Sequence, residues 1–183
     1  IAPIVYDLRM INDSILYAAC LDAGLYQLNI NTGLTANINP PRNTADSTNK
    51  SSNFQKVSLT PDAGIFIGVN YYVYQQHPDY VRLKKRINYP DVDKSKEYSY
   101  LTSCVWDEKR KQYWLATSYY SGLYTLDKEL LYLKPVSFEH TTDQTNRYFY
   151  QLTIDSKNRV WVLHYYYGIY MWDEKKKEFV KPI

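Results

Sequence analysis

The chain has 183 residues, of which 45% are hydrophobic, and a formal net charge of +3. That length suits one domain with enough apolar content for a core, and so mild a charge excludes a strongly basic nucleic-acid binder or an acidic solvating chain. No run of eighteen apolar residues occurs, so no segment reads as a membrane-spanning helix.

In chain order, the first predicted strand covers 5–11. A turn at Asp13 follows, then a strand centred on Leu16 and a third opening with Gly24-Leu25-Tyr26. A short strand at 34–38 closes the unit. The second unit has strands at 54–59, around Phe66, from Tyr72-Val73-Tyr74 and at 80–83. The third has them at 101–106, around Trp114, from Gly122-Leu123-Tyr124 and at 130–133. The fourth has them at 148–154, around Trp161, from Gly168-Ile169-Tyr170 and at 179–180. These runs are rich in β-branched and aromatic residues and lack an apolar stripe at three- and four-residue spacing, so they read as strands. The only helical candidate, 173–178, is too short to stand alone.

The phrase that recurs is an acidic turn, a strand, a few residues, then Gly-Leu-Tyr or its variant. Its strand centres lie 50, 48 and 47 residues apart. Four strands per unit at such a period, with tight antiparallel connections, indicate a β-propeller. The fold class expected is therefore all-β: a β-propeller segment of four four-stranded antiparallel blades, at about 4–38, 54–85, 100–135 and 148–182, in one segment spanning 1–183. Trp114 and Trp161 are expected on second strands, buried between neighbouring blades.

The pattern resembles the two-component regulator propeller repeat. The third and fourth units carry it best, through Trp114, Ala116, Thr117, Gly122, Leu123, Tyr124 and Asp127, and through Asp155, Asn158, Trp161, Gly168, Tyr170 and Phe179. In the first two units Leu16 and Phe66 replace the tryptophan, and the second lacks the glycine. The resemblance spans nearly the whole chain. It implies the periplasmic sensor portion of an inner-membrane hybrid histidine kinase. It also implies that the chain is part of a larger sensor region, since such propellers have more blades, with membrane contact only through absent segments. The terminal units would then expose apolar faces, to be covered by other blades of the same sensor or by a second copy.

Nothing in the sequence reads as catalytic machinery. His77, His140 and His164 lack metal-ligand spacing, no Cys-x-x-Cys exists, and only 6 glycines are available for phosphate loops. "TIDSKNRVW" is similar to the Asp-box turn of sialidases, but lacks its glycine and has its tryptophan one residue late. No enzyme activity, metal or cofactor is expected. Cys20 and Cys104 read as small buried residues rather than a disulfide. The clusters Lys84-Lys85-Arg86, Lys109-Arg110-Lys111 and Lys175-Lys176-Lys177 read as solvated residues at or near hairpin tips, not as a nucleic-acid surface.

The candidate ligand site lies in the turns between second and third strands, because loops on a rigid scaffold carry function. Three of the four turns hold tyrosine, whose flat ring and hydroxyl suit stacking on a sugar or peptide. The candidates are Tyr71, Tyr119, Tyr120, His164, Tyr165 and Tyr166, with Arg42 and Arg147 of the inter-unit loops available to an anionic group. Two function classes follow. One is a sensing module, which the resemblance connects with glycan-derived oligosaccharides. The other is a structural or protein-interaction propeller with no small ligand of its own.

Overall fold

A computed structural model describes residues 4–21, 23–39, 101–118, 122–127, 133–139 and 148–182, together with the backbone of four strands between Phe54 and Arg86. Among these residues there is no helix, and sixteen strands follow one another. They are β1 (Ile4–Met10), β2 (Ile15–Leu21), β3 (Gly24–Asn29), β4 (Thr35–Asn37), β5 (Phe54–Leu59), β6 (Gly64–Gly68), β7 (Tyr72–Gln76), β8 (Val81–Arg86), β9 (Leu101–Asp107), β10 (Gln112–Thr117), β11 (Leu123–Asp127), β12 (Leu133–Phe138), β13 (Phe149–Ile154), β14 (Val160–His164), β15 (Gly168–Asp173) and β16 (Glu178–Val180). Consecutive strands pair antiparallel within β1–β4, β5–β8, β9–β12 and β13–β16, giving four meanders. The chain divides into two compact units, Ile1–Ile87 and Asn88–Ile183, with two meanders in each.

The outer hairpin turns share one device. An Asn or Asp at the strand end turns its side-chain oxygen back onto backbone N–H groups two to four residues on, which satisfies donors that the ladder cannot reach. Asn12 accepts from Ser14 and Ile15, and Asn29 from Asn31 and Thr32. Asp107 accepts from Arg110, Asp155 from Lys157 and Arg159, and Asp173 from Lys175 and Lys176. In the third and fourth meanders the acidic turn residue of the repeated phrase, Asp107 or Asp155, is thus the hairpin's own stopper, whereas in the first the acceptor is Asn12 rather than Asp13. Its glycine has an equally local cause. Gly24 and Gly168, which open β3 and β15, have φ of +90° and +87°, a left-handed conformation that side chains disfavour. At Gly24 a Cβ would also collide with the Asn39 amide.

In the second unit the core lies between the third and fourth meanders. Trp114, Ala116 and Leu123 pack against Val160, Val162, Tyr170 and Phe179. Trp114 is 1% exposed and meets Trp172 and Phe179 edge-on, with ring centroids 4.9 and 5.6 Å apart. Arg110 fastens the outer end of this interface. Its guanidinium holds Asp107 at 2.6 Å, donates to Glu174 at 2.6 Å and reaches the Asn158 carbonyl at 3.3 Å. Cys20 and Cys104 are buried.

Four expectations need correction. The third and fourth meanders are not separate sheets: β12 and β16 pair in parallel at Ser137–Glu178 and Phe138–Phe179, making one eight-stranded sheet. The last strand of the third meander is 133–138 rather than 130–133; Pro135 within it pairs with Tyr124 of β11 and is tolerated on the edge of the meander. The last strand of the second meander is 81–86 rather than 80–83, so Lys84, Lys85 and Arg86 form its end, as charges on an edge strand do. Trp161 is half-buried, not core. Val160 and Val162 take the inward positions of β14, so strand alternation puts Trp161 on the opposite face, where its indole N–H donates to Asp155 at 2.9 Å.

Candidate functional site

The β14–β15 turn, 165–167, is the one inner turn of a tyrosine-bearing unit whose tyrosines are described. Tyr165 is 52% and Tyr166 64% exposed. The turn is pinned at its start by the Tyr165 N–H, which donates to the Tyr148 carbonyl at 2.9 Å. Its inner side is held by His164, which is 1% exposed. The His164 Nδ1 accepts from the Tyr166 and Tyr167 N–H groups at 3.1 and 3.2 Å. The imidazole lies parallel to Phe138 at 5.2 Å, meets Phe149 edge-on at 4.9 Å and stacks against Tyr167 at 4.7 Å.

The exposed rings form a group with two tyrosines from the neighbouring strand. Tyr165 lies 5.3 Å from Tyr148 and 5.4 Å from Tyr150, which are 5.1 Å from each other, and Tyr166 stands perpendicular to Tyr165 at 4.5 Å. Offset and perpendicular pairs at such distances are favourable aromatic geometry, so the group is self-supporting. Beside it the outer face of the sheet carries Leu163 and Ile169, directly paired and both exposed. The result is an aromatic and apolar surface with hydroxyls, suited to stacking and hydrogen bonding rather than to proton transfer.

Of the residues singled out in the sequence, His164, Tyr165 and Tyr166 come together here, with His164 beneath the surface rather than on it. Tyr71, Tyr119, Tyr120, Arg42 and Arg147 lie outside the described residues. Tyr148 and Tyr150 were not singled out. Counting back from the 155–159 turn along an antiparallel pair would place 150 opposite 164; a β-bulge between Phe149 and Gln151 sets Phe149 there instead, so that Tyr148 and Tyr150 flank it beside Tyr165.

Charge gathers at the other end of the meanders. The Asp155 carboxyl is held well below the usual range: burial alone would raise it, and bonds from the Arg159 N–H, the Trp161 indole, the Arg159 guanidinium and the Lys157 N–H outweigh that. The Lys176 and Lys175 N–H groups lower Asp173. Among the described residues no group of three or more His, Cys, Asp or Glu could hold a metal ion.

No family model and no curated protein matches the chain. Solved structures do. The chain is similar to the extracellular domain of BT4673, a hybrid two component system of B. thetaiotaomicron, at 17% identity and a TM-score of 0.66, over 97% of this chain and 22% of that one. It is similar to the extracellular domain of BT3049, also a hybrid two component system of B. thetaiotaomicron, at 16% identity and a TM-score of 0.65, over 98% and 22%. It is also similar to U3-55K at 10% identity and a TM-score of 0.64, over 96% and 50%. At such identities the likeness is one of fold, and the chain spans about a fifth of the length of the first two.

Proposed function

We propose that the four meanders are blades of a β-propeller and that the chain is the extracytoplasmic, periplasmic sensing portion of a two-component signalling protein. The observation that carries this is the likeness, over 97% and 98% of this chain and 22% of each of theirs, to two extracellular domains of hybrid two component systems. The ligand we assign is a glycan-derived oligosaccharide. It is supported by the exposed group of Tyr148, Tyr150, Tyr165 and Tyr166 on a turn anchored from below. Tyrosine rings stack on the apolar face of a pyranose while their hydroxyls meet its own. Tyr71, Tyr119, Tyr120, Arg42 and Arg147 extend this site in the proposal, and His164 shapes it from beneath. The chain itself binds and does not catalyse.

The test is a melting screen against oligosaccharides. A bound ligand raises the melting temperature by mass action, with a stabilisation of about 2.7 kcal/mol at a hundred times Kd. Tyr165→Ala and Tyr166→Ala should each weaken binding by about tenfold, roughly 1.4 kcal/mol, while leaving the free protein folded. A hit whose affinity is the same in both variants would remove the tyrosine surface from the proposal.

A second reading, an interaction scaffold with no small ligand, is favoured by Leu163 and Ile169, whose exposed apolar pair continues the tyrosine surface. Such contiguous apolar surface also marks protein contacts. Under that reading no saccharide shifts the melting temperature, and Leu163→Asp abolishes partner binding.

A further inference from the structure

We propose that the outer face of the fourth meander takes the first meander of a second copy of this chain, head to tail. The inference goes beyond the sensing reading and rests on strand register and burial alone. In the second unit the two halves of such a contact are already joined. The third meander gives one half, the face of Trp114, Ala116 and Leu123. The fourth gives the other, the face of Leu152, Ile154, Val160, Val162 and Tyr170.

The fourth meander carries the first half again, on its opposite face. Trp161 opposite Met171 and Leu163 opposite Ile169 repeat Trp114 opposite Thr125 and Ala116 opposite Leu123. Local marks fix the equivalence. Both tryptophans donate the indole N–H to the acidic turn residue at 2.9 Å. Lys111 and Asn158, each three residues before the tryptophan, are left-handed, as are Gly122 and Gly168 just before Leu123 and Ile169. In the first meander the same face, with Tyr17, Ala19 and Leu25, is buried, and β2 lies against β5 of the following meander. In the fourth, Leu163 and Ile169 are exposed.

The first meander carries the second half. Leu8 pairs with Ala18 and Ala18 with Tyr26, as Leu152 pairs with Val162 and Val162 with Tyr170. Met10 pairs with Leu16 as Ile154 pairs with Val160. Apolar residues or tyrosine fill these positions in both meanders; the last strand departs, with Thr35 where the fourth meander has Phe179. In the fourth meander this face is covered, whereas Leu8 and Met10 are 50% and 46% exposed. Charge corresponds as well. Arg110, four residues before Trp114, reaches the Asn158 carbonyl of the opposite half. Lys157 stands four residues before Trp161, and Ser14, next to Asp13, takes the place of Asn158 two residues before its strand's first inward position. The two halves differ, so the contact is heterologous: copies add in line unless the rotation closes a ring. Exposed apolar faces of this kind drive association.

The experiment uses two variants of the whole chain, Leu163→Asp on the fourth meander and Leu8→Asp on the first, both at exposed positions. Circular dichroism checks that each is folded, and sedimentation velocity reads its size across concentration. The wild-type chain is expected to associate and each variant alone to be monomeric. An equimolar mixture of the two should form a one-to-one heterodimer, because Leu163→Asp keeps its first meander intact and Leu8→Asp its fourth. Should either variant not fold, Ile169→Asp or Met10→Asp takes its place. A wild-type chain that is monomeric at every concentration would overturn the proposal. So would a mixture that stays monomeric, or a folded single variant that associates as the wild type does, which would mean a like-on-like contact. A failed saccharide screen would leave it standing.

Discussion

Two tryptophans carry the same hydrogen bond and do different work. The Trp114 indole donates to Asp107, and the Trp161 indole to Asp155, both at 2.9 Å. Trp114 is enclosed between two meanders, whereas Trp161 has one face on its own sheet and the Arg159 guanidinium 5.0 Å from its ring. Trp114→Ala should therefore cost about 3–5 kcal/mol, and Trp161→Ala clearly less, in urea unfolding. Equal costs would mean that the β14 face is covered in solution. The carboxylates add a pH term. Asp155, Asp173 and Glu174 are all lowered in the folded chain; for Glu174, burial raises it and the Arg110 guanidinium outweighs that. A lowered folded value contributes stability that is fully present above the unfolded carboxylate range and is lost as pH falls. The melting temperature should hold level above about pH 5 and fall below about pH 4. Asp173→Asn should reduce that fall, because the amide loses the charge and keeps an oxygen for Lys175 and Lys176.

At the scale of the hairpin, three outer turns among the described residues place a residue other than glycine in the left-handed region: Lys111, Asn158 and Lys177, at φ of 53°, 58° and 57°. Asparagine tolerates this and lysine pays about 1 kcal/mol for it. Lys177→Gly should raise stability, by less than about 1 kcal/mol once the greater freedom of the unfolded chain is counted. A drop in melting temperature would show that the Lys177–Glu174 pair at 3.3 Å outweighs the backbone strain. Hairpins were the most legible elements of the sequence. The acidic turn residue and the glycine are local signals, and each proved to have a local cause. What stayed illegible was decided by neighbours. The length of β12 is set by its partners, β11 along 133–136 and β16 at 137–138, and the second of these belongs to the next meander. Trp161 was aligned with Trp114 by its place in the phrase, whereas the face it takes was set by Val160 and Val162.

At the scale of the molecule, the repeat was legible because four copies of one phrase can be compared within a single chain, while the site was only partly so. Tyr165 and Tyr166 could be seen from the turn. Tyr148 and Tyr150 required the pairing register, and His164 changes meaning once its burial is known. In the first unit β1 exposes Ile4, Val5, Tyr6, Leu8 and Met10, and in the second the last sheet exposes Leu163 and Ile169. We expect these faces to be covered by further blades or a second copy, so the isolated chain should self-associate in sedimentation measurements. Leu163→Asp with Ile169→Lys should shift it toward monomer. A monomer at all concentrations before any substitution would count against covered faces.

The β12 strand begins in the ladder of one meander and ends in that of the next, with Phe138 lodged against Phe149 and Tyr170. The unit that repeats in sequence is therefore not the unit that could be inherited or exchanged intact. A recombination joint placed between 139 and 148, where the alignment of phrases puts it, would leave Phe138 behind without its socket and take β16 away without its parallel neighbour. A joint at 133 would carry the clasp along with the meander it closes. Shuffled repeats should tolerate the second cut and reject the first, which makes sequence variation at the blade boundary subject to the fold of the following blade.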